Sequence, residues 1–236
     1  MMISFFDLSK TELTPFINKL WRSSSRNVSL YIRGSSLLPM ESNLSKPIDI
    51  DFLLFANGEI NKIKTISAEI SSYANEASPL TPHLDIKVIN CSVENSELLF
   101  NTLLVTKTGK LLYGKDLSVS TALLINKQRE IILFTLLEAE SKLNSVIQTS
   151  NKRIQSKRVP HLSKAILRIA GLLRLKEDYY TRSPESCADV LNKMYPKIIK
   201  HVAIILHSFK HPLLTDELLI SYSIVLNEIK QDVELA

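Results

Sequence analysis

Asp49 and Asp51 stand two residues apart in the run Ile48–Phe55, whose other members are apolar. Successive side chains on a strand point to opposite faces, so residues i and i+2 share a face and lie roughly 6.6 Å apart. Ile48, Ile50 and Phe52 then face one way and the two carboxylates the other. Two acids side by side repel each other and gain nothing from core burial, so a cation is expected beside them. By the same repulsion, amidating one of them is expected to leave stability unchanged or slightly higher. A strand with an acidic solvent face would explain the pair alone. It would not explain Gly34-Ser35-Ser36, which ends the preceding apolar run Val28–Arg33. Glycine permits a tight turn or the close approach of a ligand, and the two serines add donors suited to phosphate. Phosphate donors opposite paired carboxylates suit phosphoryl transfer, because a divalent cation bridges the two. A third acid, Asp85, falls in His83–Ile89, where Leu84, Ile86 and Val88 alternate with it. As the third carboxylate on one sheet it is a candidate general base or metal contact.

The elements that must hold these residues follow from periodicity. Val28–Arg33, Ile48–Phe55 and His83–Ile89 read as strands. A first helix is expected to about Ser24, with Leu13, Phe16, Ile17, Leu20 and Trp21 as its apolar stripe. A second is expected from Asn57-Gly58-Glu59 to about Ala74, with Ile60, Ile63, Ile66 and Ile70 inward. Gly109 and Gly114 frame a short strand whose role reads as structural. From Ser118 onward the chain reads as all helix: a long run from Thr121 to about Thr149, then a helix that Pro160 would open at its first turn. Three more follow, one capped by Ser183 or Thr181, one running to His207 and one from Thr215 to about Gln231.

Gly34-Ser35, thirteen residues, Asp49-Ile50-Asp51 and a later strand acid together form a pattern. It resembles that of the polymerase-β-like nucleotidyltransferase superfamily. Gly109-Lys-Leu-Leu-Tyr-Gly-Lys-Asp-Leu117 is similar to the stretch that closes the catalytic domain in bacterial members, among them the aminoglycoside nucleotidyltransferases. Lys164 to Arg168, Tyr180-Thr181-Arg182, Cys187 and Tyr195-Pro196 are similar to their helical domain. The loop before Asp49 departs from the pattern, offering Pro39 and Lys46 in place of an Arg and a Gly.

The resemblance implies an α+β architecture: a small mixed-sheet nucleotidyltransferase domain over 1–118, followed by an all-α bundle over 119–236. It implies transfer of a nucleoside monophosphate from ATP or another nucleoside triphosphate to a hydroxyl, with release of pyrophosphate. Asp49, Asp51 and Asp85 would be catalytic and hold two Mg²⁺ ions, and Gly34, Ser35 and Ser36 would line the nucleotide. The acceptor could be a small molecule, an RNA or a protein, and the chain could act as a homodimer. The alternative is a regulatory or antitoxin-type protein of the same fold, which binds nucleotide with little turnover.

Composition agrees with a folded globular chain. Among its 236 residues, 45% are hydrophobic and 22% charged, and the net charge is +5. No apolar run reaches the roughly 20 residues of a membrane span, and the first residues lack a signal-peptide pattern. Cys91 and Cys187 show no paired spacing, so a cytoplasmic setting without disulfides is the expectation. The histidines show no metal spacing with acids. Charge is unevenly spread: Ser141–Lys176 contains no acid but nine cations, namely Lys142, Lys152, Arg153, Lys157, Arg158, Lys164, Arg168, Arg174 and Lys176. Lys164 and Arg168, at i and i+4, share a helix face and could neutralise one triphosphate from the helical domain.

Overall fold

The computed structural model describes residues 14–15, 17–19, 22, 28–33, 37, 49–77, 83–177 and 179–235. The chain forms two compact units, Met1–Val119 and Ser120–Ala236.

The first unit is built on a four-stranded mixed sheet: β1 (Val28–Arg33), β2 (Asp49–Ala56), β3 (His83–Asn90) and β4 (Gly109–Tyr113), in the order β3-β2-β1-β4. β1 runs antiparallel to both β2 and β4, whereas β2 and β3 are parallel. A parallel pair needs a crossover, and α1 (Ile60–Ala77) supplies it. Its Ile63 and Ile70 bury against Leu30, Ile32, Ile50, Phe52, Leu54 and Leu84, the apolar face expected from the alternation.

On the opposite face, Tyr31, Leu53, Phe55 and Ile89 are also buried. α2 (Ser96–Thr108), which packs on β1, β3 and β4, covers that side. Asn95 caps α2, its side chain accepting from the Leu98 N–H at 2.8 Å. Periodicity leaves α2 unassigned because its buried residues, Asn101 to Val105, are consecutive rather than striped. Both faces of β2 are therefore covered, which is why its central residues are apolar without alternation.

The second unit is helical throughout: α3 (Thr121–Asn126), α4 (Gln128–Gln148), α5 (Lys152–Leu167), α6 (Ile169–Leu173), α7 (Pro184–Met194), α8 (Ile199–Lys210) and α9 (Asp216–Leu235). Two expectations need correction. The run from Thr121 is not one helix but breaks at Lys127. The break lets the buried Gln128 donate from Nε2 to the carbonyls of Leu172 (2.6 Å) and Leu173 (3.1 Å), which end α6. Pro160 does not open a helix; it lies inside α5. Asn151 sets the start instead, accepting from the N–H groups of Arg153 and Ile154. Packing outweighs the cost of the proline, because Val159, Leu162, Ile166 and Leu167 are all buried. The buried Ser163 hydroxyl also bonds to the Val159 carbonyl (3.0 Å), Ser208 (2.8 Å) and Tyr222 (2.7 Å), tying α5 to α8 and α9. Ser183 caps α7 with Pro184 in its first turn, as expected. No helix among the described residues is long and apolar enough to cross a membrane.

Candidate active site

The strand registers bring the candidate acids together. Arg33 on β1 stands opposite Asp51 on β2, and Asp51 stands opposite Asp85 on β3. Register partners on neighbouring strands share a face and lie about 4.8 Å apart, so Arg33, Asp51 and Asp85 form one row across three strands. Asp49 is the register partner of His83, one step along the same face. Further along β2 that face is sealed, with Leu53 and Phe55 nearly inaccessible. At the row itself it opens: the Asp51 side chain is 25% exposed, and Asp85 is exposed. A strand that begins wet and acidic and ends dry and apolar places its charges at the mouth of the covered face.

Arg33 is the cation expected beside the acids. Its guanidinium lies 3.9 Å from the Asp51 carboxylate, with 18% of the side chain exposed. The sequence pointed to a cation but not to its source, since Arg33 sits in an apolar run and pairs with Asp51 only through the hairpin register. The pair also revises the expectation drawn from repulsion. Asp51→Asn removes an attraction, so a small loss of stability replaces the unchanged or slightly higher stability that repulsion alone implies.

Asp85 lines a groove between β3 and α1, whose floor and wall include Lys64, Ser67 and Ser71. Lys87, two residues on, is held by Glu97 at 2.9 Å. Gly34, Ser35, Ser36 and Lys46 fall outside the described residues, as does the Asp49 side chain. Lys164 and Arg168 belong to the second unit, at the end of α5. Arg168 has a structural task there, its Nε donating to the Arg182 carbonyl at 3.1 Å.

Among the described residues no group of three His, Cys, Asp or Glu side chains stands ready to hold a metal. The donors that do converge, Asp51 and Asp85, are carboxylates without a sulfur or imidazole among them. That chemistry fits Mg²⁺, which takes one or two carboxylates and completes its shell with water and substrate phosphate.

The Gly109–Leu117 stretch has a structural role. Gly114 turns the chain back over β1, and the Ser29 hydroxyl donates to the Lys115 carbonyl at 2.6 Å. The Tyr31 hydroxyl donates to Asp116 (2.8 Å) and accepts from the Leu117 N–H (2.5 Å). Burial pushes the Tyr31 phenol up to about 12. Tyr31→Phe should therefore cost about 1–2 kcal/mol, since both partners lose a bond in a partly buried setting. The folded phenol titrates above its unfolded value of about 10, so its contribution is complete below that pH and fades as pH rises through 12. Parallel urea titrations at pH 7 and above pH 10 should show the gap between wild type and Tyr31→Phe narrowing.

Comparison with known proteins agrees at the level of fold. No protein-family model matches the sequence, and no curated protein does. Among solved structures, the chain is similar to the spectinomycin adenyltransferase AAD(9) from Enterococcus faecialis, determined with ATP and spectinomycin. The TM-score is 0.54 over 93% of this chain and 99% of that one, at 14% sequence identity. The chain shares that fold. The α+β architecture, a small mixed sheet with a helical second half, is thus the one the resemblance implied.

Proposed function

We propose that this chain is a nucleotidyltransferase, moving a nucleoside monophosphate from a nucleoside triphosphate, ATP first among them, to an acceptor hydroxyl. The observation that carries the reading is the row Arg33–Asp51–Asp85, with Asp49 two residues earlier on the same strand. Shared fold with an adenyltransferase determined with ATP adds to it. The first unit is the proposed catalytic domain and the second the accessory helical domain.

Asp49 and Asp51 would hold Mg²⁺, with Asp85 as a third ligand or as the base. When bound, the metal would neutralise triphosphate charge and acidify the acceptor hydroxyl. Asp85, open to solvent, takes the hydroxyl proton in this reading. The acceptor oxygen bonds to the α-phosphorus as the bond to the β-phosphate oxygen breaks, and pyrophosphate leaves with that electron pair. Gly34, Ser35 and Ser36 are proposed to receive the phosphates, and Lys164 and Arg168 to add positive charge. Arg33 holds Asp51 in place and is a further cation for a phosphate oxygen.

Mg²⁺-ATP at about a hundred times its dissociation constant should raise the unfolding free energy by roughly 2.7 kcal/mol. The rise should need the metal and should shrink in Asp51→Asn. Equal stabilisation by ATP with EDTA would oppose the proposed metal site.

For the acceptor, the charge pattern favours a neutral or anionic molecule over a polycationic drug. Lys64 lines the groove at Asp85, and the basic Ser141–Lys176 segment carries no acid. A basic surface concentrates anions, an effect that salt weakens. Incubation of α-labelled ATP and Mg²⁺ with total RNA should label the RNA more than a parallel incubation labels spectinomycin. Labelling of the drug alone would overturn the charge argument.

A further inference from the structure

We infer that the exposed face of α5 binds the phosphate backbone of a nucleic acid without reading its sequence. Arg153, Lys157, His161, Lys164 and Arg168 follow one another at intervals of four, four, three and four residues. At 100° per residue they fall within an arc of about 80°, and at 1.5 Å per residue they span roughly 22 Å. The opposite side of the helix, with Val159, Leu162, Ser163, Ile166 and Leu167, is the buried side. The basic stripe is therefore the outer face of α5, and Lys152, Arg153, Lys157 and His161 are all exposed.

A solvated charged face ordinarily mixes its signs, and the rest of this unit does so. Lys127 pairs with Glu130, Lys142 with Glu138, Lys200 with Glu217, Lys210 with Glu185 and Lys230 with Glu140. α5 contains no acid at all, and Lys152, Arg153 and Lys157 make no ion pair among the described residues. In contrast to Lys152, Arg153 and Lys157, Arg158 is held by Ser145 and by Thr149 at 2.9 Å, and Arg168 by the Arg182 carbonyl at 3.1 Å. Like charges aligned at intervals of about 6 Å repel one another, and a row of phosphates relieves that repulsion.

The composition of the stripe selects among polyanions. A membrane-surface helix needs an apolar face for the lipid, and the apolar face of α5 is committed to the bundle core. An aromatic platform for stacked bases is absent from the stripe, so contact is with backbone rather than base. The inference rests on Lys152, Arg153 and Lys157, none of which has a role in the proposed transfer reaction.

The test uses the full chain without nucleoside triphosphate or Mg²⁺, so its outcome is separate from that of the transfer reaction. Binding of labelled RNA and DNA duplexes of about 20 base pairs, and of the matching single strands, is followed by anisotropy from about 50 to 200 mM salt. The three exposed cations Lys152, Arg153 and Lys157 engaged on a duplex predict a slope of log K against log salt near −2.7, at about −0.9 per phosphate. Arg153→Ala with Lys157→Ala should reduce the slope by about 1.8 and weaken binding alike for unrelated sequences. Arg153→Glu with Lys157→Glu should abolish binding, and the swap Arg153→Lys with Lys157→Arg should restore it. Circular dichroism should show the same helicity in all variants, since these side chains cover no core. Absence of binding at the lowest salt, or an unchanged slope in the double alanine variant, would overturn the inference. So would polyglutamate competing as well as RNA, which would reassign the face to an acidic protein.

Discussion

Asp51→Asn should lower the proposed nucleotidyl transfer by about a thousandfold or more while leaving the fold in place. The two halves of this expectation come from different features of one side chain. For chemistry, the amide keeps the shape but loses the negative charge that would draw the proposed divalent cation, and it sits between Arg33 and Asp85 in the row. For stability, the change removes an ion pair at 3.9 Å whose members are 18% and 25% exposed. Such a pair is screened and contributes at most about 1 kcal/mol. Asp85→Asn serves as the companion, because its carboxylate is exposed and the stability cost should be near zero, with a comparable loss of transfer. Release of label from α-labelled ATP into acceptor, measured beside a urea unfolding curve, separates the halves. A folded Asp51→Asn chain with full transfer would end the catalytic assignment. A Asp51→Asn chain that fails to fold would show that the acid is a structural member of the sheet.

The acids were legible in sequence because they break an apolar pattern. Alternation placed Ile50, Phe52 and Leu84 in the core and Asp51 and Asp85 on the other side, and burial agrees. What alternation could not supply was register. Arg33 meets Asp51 only because the hairpin pairs Val28 with Ala56, and no local signal sets that pairing across the intervening loop. Helix ends were legible where a cap is spelled out, as at Ser183-Pro184. They were misread where tertiary contacts prevail. Pro160 is tolerated inside α5 because the residues around it are buried against neighbouring helices. Lys127 ends α3 because the Gln128 amide is needed against the end of α6. α2 carried no stripe to read, since it buries consecutive residues. The basic face of α5 became visible only once the helix was known to start at Lys152, which puts Arg153 and Lys157 in phase with Lys164 and Arg168.

The largest stability effect should come from a residue with no side chain. Gly114→Ala should destabilise the first unit by about 3 kcal/mol or more, combining left-handed backbone strain with a steric clash. The backbone at Gly114 has φ +91°, and a Cβ built there would lie 2.2 Å from the Val28 carbonyl oxygen and 2.8 Å from the Ser29 Cα. Both obstacles are main chain of β1, pinned by its pairing with β2, so neither can swing aside. The displaced turn would also pull Lys115 and Asp116 from Ser29 and Tyr31. Gly58 is the control that separates strain from collision: its φ is +71°, but nothing lies within 4 Å of the added carbon. Gly58→Ala should therefore cost only about 1–2 kcal/mol. In thermal unfolding, Gly114→Ala should lower Tm by about 10 °C, on the usual scale of a few degrees per kcal/mol. Gly58→Ala should lower it by no more than about two thirds as much. Equal shifts would mean that conformational strain alone governs both turns, and that the close approach of Gly114 to β1 contributes nothing.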